Sequence, residues 1–267
     1  MVAGMDAFRR HFAGFEDSFV VIGGAACDEW FTYYQGRFRA TKDIDMVLIL
    51  EARRPGFFAR FWDFIRAGAY RVGQRADGRS TFFRFIEPAT PDYPKMIEVF
   101  SSAPIEVDVP PGQTVVPVPA GEEASSLSAI LMDPDYYRFV LDQRDVVDGL
   151  PLIRPSGLIP LKARAWLDLT RRREAGDASV KQGDIDKHRS DVFRLATLLP
   201  VGETLPVPAT IAEDIRSFLR AFPATSREWA AISASLASTG IRMAPTDLIG
   251  LIERFETVSK VLTAREM

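Results

Sequence analysis

Asp43 and Asp45 stand two residues apart at the mouth of an apolar run, DMVLIL at 45–50. Side chains alternate across a strand, so both carboxylates point to the same side, with their Cα atoms roughly 6.5–7 Å apart. Met46, Leu48 and Leu50 would fill one face and Val47 and Ile49 the other, so the strand that the aspartates open is dry. Charges at the dry end of a sheet need a partner. Two carboxylates at this spacing suit a hard dication with oxygen ligands, Mg²⁺ foremost. The plainer alternative is a solvated strand mouth, with Asp43 paired to Lys42 or Arg39.

Two further features bear on the choice. In SFVVIGG (18–24) a strand runs into Gly23 and Gly24 and then into a helix. Bare N–H groups at such a turn can hold phosphate oxygens, and glycine lets a ligand approach the backbone. A tight turn without a ligand is the simpler reading. The spacing matches neither a Walker loop nor a dinucleotide fingerprint. Glu98 sits in KMIEVFS, where Met96 and Phe100 share its face and Ile97 and Val99 take the other. An acid centred in such a run is expected to be buried. Beside Asp43 and Asp45 it would complete a clamp for two metal ions about 3.5–4 Å apart. Arg84 on the preceding strand is the alternative partner.

The elements that must position these groups are legible from pattern. SFVVIGG, DMVLIL, STFFRFIE (80–87) and KMIEVFS (95–101) read as strands. Residues 25–36 read as a helix stopped by Gly36, 55–70 as a helix opened by Pro55, and 133–143 as a short helix. The proline-rich 105–120 is extended and belongs at an edge or in a loop. Helices are expected at 157–174, 184–199, 206–222, 225–237 and 245–264. The predicted fold class is α+β: a mixed sheet with flanking helices over 1–153, followed by an all-α helical domain over 154–267.

Composition narrows the partners. The chain has 267 residues, 47% of them hydrophobic and 26% charged, as in an ordinary globular protein. With a formal net charge of −3, it is not a polycation, so a nucleic acid would need a local basic patch. One cysteine and two histidines exclude a disulfide framework and a structural zinc site. Neither an apolar run near 18 residues nor a secretory signal pattern is present, so a cytoplasmic location and no membrane partner are expected.

Basic residues in the helical half offer charge to an anion. Lys162 shares a helical stripe with Leu158 and Trp166, either snorkelling to water or reaching across a cleft. Lys187 and Asp191 are i,i+4 neighbours, by default a helix salt bridge. Arg171, Arg172 and Arg173, with Lys181, Lys187 and Arg189, read first as a solvated helix end and second as a phosphate-binding rim.

The order strand, Gly23-Gly24, helix, Asp43-x-Asp45 and a later strand acid resembles the nucleotidyltransferase superfamily built on the DNA-polymerase-β palm. More narrowly, VIGGAACDEW, RATKDIDMVLIL and KMIEVFS are similar to AbiEii-type nucleotidyltransferases, the toxin halves of phage-defence toxin–antitoxin pairs. That family's Arg-x-Thr-x-Asp-Ile-Asp is matched by Arg39, Thr41, Asp43 and Asp45. Lys162, then Lys187 with Asp191, fall where it carries a helical lysine and a lysine–aspartate helix. Where many members have Gly-Ser, this chain has Gly23-Gly24.

The resemblance implies a palm-like sheet and Mg²⁺-dependent transfer of a nucleoside monophosphate from a nucleoside triphosphate (NTP) to a hydroxyl. Asp43, Asp45 and Glu98 would be the catalytic and metal-holding acids. Gly23, Gly24, Arg39, Thr41, Lys42, Lys162, Lys187 and Asp191 would serve the nucleotide. It further implies an RNA acceptor, such as the 3′ end of tRNA, and a protein antitoxin. A small-molecule acceptor, as in aminoglycoside-modifying relatives, and a non-catalytic nucleotide- or partner-binding module remain the alternatives.

Overall fold

The computed structural model describes residues 2–49, 51, 54–74, 82–101, 115–117, 127 and 129–258. Leu50, the start of the expected 80–87 strand, residues 105–114 and 118–120 of the proline-rich stretch, and 259–264 of the expected last helix lie outside them.

The class is α+β. Helix α1 (Met5–His11) precedes β1 (Phe19–Ile22), which runs directly into α2 (Gly23–Tyr33). Then come β2 (Asp43–Leu48), α3 (Phe57–Ala67), β3 (Arg71–Gln74), β4 (Phe82–Ile86), β5 (Met96–Phe100) and β6 (Val115–Pro117). Helix α4 (Pro134–Asp142) leads to a hairpin of β7 (Arg144–Val147) and β8 (Leu150–Ile153). The helical half holds α5 (Pro155–Glu174), α6 (Gln182–Ala196), α7 (Ala209–Ala221), α8 (Trp229–Ala237) and α9 (Pro245–Ile252). Strands β9 (Leu205–Val207) and β10 (Phe255–Thr257) add a small parallel sheet to that half.

Strands β1 to β8 form one mixed sheet in the order β6-β3-β4-β5-β2-β1-β8-β7. β2 pairs in parallel with β5 and antiparallel with β1, while β8 runs parallel to β1. The central strands β1 and β2 carry near-continuous apolar runs because both of their faces are covered. One face bears Phe19 and Phe85, which meet the aromatic side chains of α1 and α3: Phe8 on Phe19, Phe57 on Phe19 and Phe61 on Phe85. By register, Asp45 and Glu98 lie on the opposite face.

Local chemistry explains several boundaries. The β7–β8 turn is Asp148-Gly149, both with positive φ (49° and 76°), the conformation that matches strand twist in a two-residue hairpin. Helix α2 ends at Tyr33, and Gln35 rather than Gly36 takes the left-handed conformation (φ 58°). Helix α3 starts at Phe57 behind a left-handed Gly56 (φ 87°), two residues later than Pro55 predicts. The expected 245–264 helix stops at Ile252, because Phe255–Thr257 leave the helical path to pair with β9.

The main apolar cluster takes in residues on both sides of Ile153, among them Val20, Phe64, Leu158, Phe193 and Phe218. Among the described residues, no helix is long and apolar enough to cross a membrane. Phe64 is fully buried and touches the rings of Phe8, Phe12 and Tyr93. Phe64→Ala is therefore expected to cost about 3–5 kcal/mol of stability, read from the urea midpoint. A loss under about 1 kcal/mol would show that this aromatic layer is not central to the core.

Candidate nucleotide site

The first turn of α2 follows β1 with no intervening loop and no side-chain cap on its N-terminus. The opening N–H groups of a helix have no partner within the helix, and the helix dipole favours an anion there. Gly23 has φ +66°, and a Cβ at that position would collide with Oδ2 of Asp45. A Cβ on Gly24 would lie 2.5 Å from Oγ1 of Thr41. Both glycines are thus required by close packing, Gly23 against an acid and Gly24 against a hydroxyl. Asp43, Asp45 and Thr41 are partly buried, and Lys42 is exposed.

Glu98 lies beside Asp45 in the parallel pairing of β2 with β5, and Arg84 lies beside Glu98 in the antiparallel pairing of β5 with β4. Directly paired residues point to one face, so Asp45, Glu98 and Arg84 form a row across three strands, with Asp43 farther along the same face. Glu98 is buried, and Arg84 donates to it through Nε at 2.7 Å and through Nη2. The partner found for Glu98 is therefore Arg84, the alternative that the sequence offers. Among the described residues, no group of three or more carboxylate, histidine or cysteine side chains is gathered as a metal cage. The donor chemistry of Asp43 and Asp45 still suits a hard dication, whereas Glu98 is committed to a guanidinium.

A second cluster adjoins the same helix turn. Asp191 on α6 is completely buried. Arg39 grips its carboxylate from the α2–β2 connection, with Nε to Oδ1 at 3.0 Å and Nη2 to Oδ2 at 2.7 Å. Arg194, one turn on along α6, donates from Nη1 to Oδ1 at 2.8 Å, and the Lys162 ammonium of α5 is 3.6 Å from Oδ2. Three cations surround one carboxylate, leaving two positive charges in excess. Lys162 and Arg194 are themselves buried, so neither simply snorkels to water.

Burial pushes the Asp191 carboxyl upward, but Lys162, Arg39 and Arg194 outweigh it and hold it below the ordinary carboxylate range. Cys27 links this cluster to the glycine turn. Its Sγ donates to the Gly23 carbonyl at 3.1 Å. Burial raises its thiol to about 12, against the opposing field of Lys162.

The structure thus gathers Gly23, Gly24, Thr41, Asp45, Arg39, Lys162 and Asp191 around one helix turn. Lys187 lies 3.9 Å from Asp184. The arginine run closes the end of α5: Arg171 pairs with Asp168, Arg172 with Asp177, and Arg173 donates to the Val180 carbonyl. This favours the helix-end reading over a phosphate rim. Arg194 and Phe38 escaped the sequence reading. The available signal for Arg194 was a cation three residues after Asp191, on the same helix face.

Two outcomes test this geometry. Gly23→Ala must place an L-residue in the left-handed region and is expected to cost at least about 1–2 kcal/mol, read from thermal or urea unfolding. Asp191 is charged more readily in the folded protein than in the unfolded chain. Its contribution is present above the unfolded carboxyl value of about 3.9 and is lost as pH falls through the lower folded value. Asp191→Asn is expected to lose about 3–5 kcal/mol at pH 7. Its difference from wild type in urea midpoint should shrink below about pH 3.9; a difference independent of pH would mean that ionised Asp191 does not hold the cluster.

No protein-family model and no curated protein matches the chain. Among solved structures it is similar to an antigenic nucleotidyltransferase-like protein from Paracoccidioides brasiliensis, with 13% sequence identity, 94% of each chain covered and a TM-score of 0.41. At that distance, the likeness assigns neither residues nor an activity.

Proposed function

We propose that the chain is a nucleotidyltransferase that moves a nucleoside monophosphate from an NTP to an acceptor hydroxyl. The observation that carries this reading is a juxtaposition: the uncapped, glycine-started α2 turn lies between the Asp45 carboxylate and the buried Arg39–Lys162–Asp191–Arg194 cluster. Groups that favour phosphate oxygens and groups that favour a dication meet at one helix end.

In this mechanism the N–H groups of the Gly23–Gly24 turn donate hydrogen bonds to phosphate oxygens. Lys162 and Arg39 offset the negative charge that builds on the pyrophosphate leaving group in the transition state. Asp43 and Asp45 would hold Mg²⁺, which when bound supplies charge to the leaving group and lowers the pKa of an attacking hydroxyl. Glu98, clamped by Arg84, keeps its carboxylate fixed beside Asp45 and acts on that aspartate's orientation. Asp191 has no exposed surface and serves by placing Arg39 and Lys162 rather than by touching the nucleotide.

The Arg39-x-Thr41-x-Asp43-Ile44-Asp45 resemblance favours the AbiEii type, with an RNA acceptor such as the 3′ end of tRNA and a protein antitoxin. The net charge of −3 favours the alternative of a small-molecule acceptor. The Arg84–Glu98 pair favours a non-catalytic nucleotide-binding module on the same scaffold.

Incubation with each labelled NTP, Mg²⁺ and total RNA separates these readings. Label should enter RNA with the wild type, and Asp45→Ala should reduce it by at least about 100-fold. Label in a small metabolite would move the acceptor assignment. Nucleotide binding without transfer to any acceptor would leave the module, and absence of both would overturn the proposal.

A further inference from the structure

The connection from α2 to β2 carries Arg37, Phe38, Arg39, Thr41 and Lys42 past the glycine turn. Arg39 ties it to Asp191, and Thr41 packs against Gly24. Phe38 has the Arg39 guanidinium 5.0 Å from its ring centroid and the Arg194 guanidinium at 5.5 Å, and it meets Phe31 of α2 at 5.5 Å. Such cation–π contacts strengthen when they are shielded from water.

Arg194 also reaches α8 and the turn that follows it. Nη1 holds Asp191, Nε donates to Thr239 Oγ1 at 3.2 Å, and Nη2 donates to the Ser235 carbonyl at 3.1 Å and to its hydroxyl at 3.2 Å. Its side chain is 2% exposed, so it has no route to a ligand. The planar fork reaches α8, Asp191 and the Phe38 ring at once, which a lysine ammonium cannot reproduce.

We infer that Arg194 is a positioning residue: anchored on α8 and acting through Asp191 and Phe38, it fixes the 37–42 connection and thereby sets how tightly the site takes a nucleoside triphosphate. This rests on the nucleotide reading above. The helical half then controls the nucleotide site through one buried guanidinium.

The test compares wild type, Arg194→Met, Arg194→Lys and Phe38→Leu in the full chain. Phe38 is partly exposed, so its variant folds even where a buried substitution fails. Two readouts are taken: amide hydrogen exchange over residues 37–42, and kcat and KM with each of the four NTPs and Mg²⁺. Exchange at 37–42 should rise by about tenfold or more in Arg194→Met, with the β1 and β2 amides unchanged. KM for the nucleotide should rise by about tenfold, while kcat at saturation stays within about twofold. Phe38→Leu should shift both readouts in the same direction by less, and Arg194→Lys should recover part of the loss. Unchanged exchange or unchanged KM in both Arg194→Met and Phe38→Leu overturns the inference, as does a fall in kcat alone. Wild-type protein that takes up no NTP overturns the nucleotide reading itself, and this inference with it.

Discussion

A carboxylate with no exposure to water organises this protein. Burying Asp191 alone would cost several kcal/mol, and three cations from separate parts of the chain offset that cost. Each cation brings its own element: Arg39 the α2–β2 connection, Lys162 the long α5, and Arg194 a bridge to Ser235 of α8. The pairing therefore fixes where the helical half sits against the first turn of α2. Because the cations outnumber the acid, the cluster presents net positive charge to a helix end that already favours anions. In the proposed reading, structural and ligand-binding roles would converge here, since the group that holds the helices together also sets the electrostatics beside Gly23 and Gly24.

The sheet provides the complementary charge. Asp45 and Glu98 are direct neighbours on parallel strands, an arrangement that two like charges would normally resist. Arg84 relieves it from the far side, holding Glu98 within a buried row. Asp43 and Asp45 stand at the start of β2, with Asp45 against the glycine turn. Chemistry that needs acids on one side and cations on the other has both within reach of one backbone turn. Gly23, left-handed and packed against Asp45 with no room for a Cβ, keeps that approach close.

Elements whose packing is written in a local repeat were legible. The alternation around Val47, the helical spacing from Phe57 to Ile65 and the strand around Glu98 each report which face is buried. Elements created by distant partners were not. β8 is only Leu150–Ile153, yet it lies inside the main sheet because β1 pairs with it. β9 and β10 are three residues each and exist because segments fifty positions apart meet. The same pairing ended the last helix at Ile252, where sequence periodicity alone continued it. Arg84 was visible as an alternative for Glu98, but choosing between an arginine and a metal required the register of three strands.

By itself, the sequence determined the residue types and their local phase: two acids on one strand face, a glycine pair between strand and helix, a buried acid centred on a second strand, and a cation on a helix stripe. Those follow from periods of 2 and 3.6 residues, which need only neighbours in the chain. Tertiary structure decided the partners. It joined Arg39 to Asp191 across 152 positions, gave Glu98 to Arg84, and set Lys162 and Arg194 around a shared carboxylate. Ion pairs depend on distance and burial rather than on order along the chain, so they become fixed only when the sheet and the helices have packed.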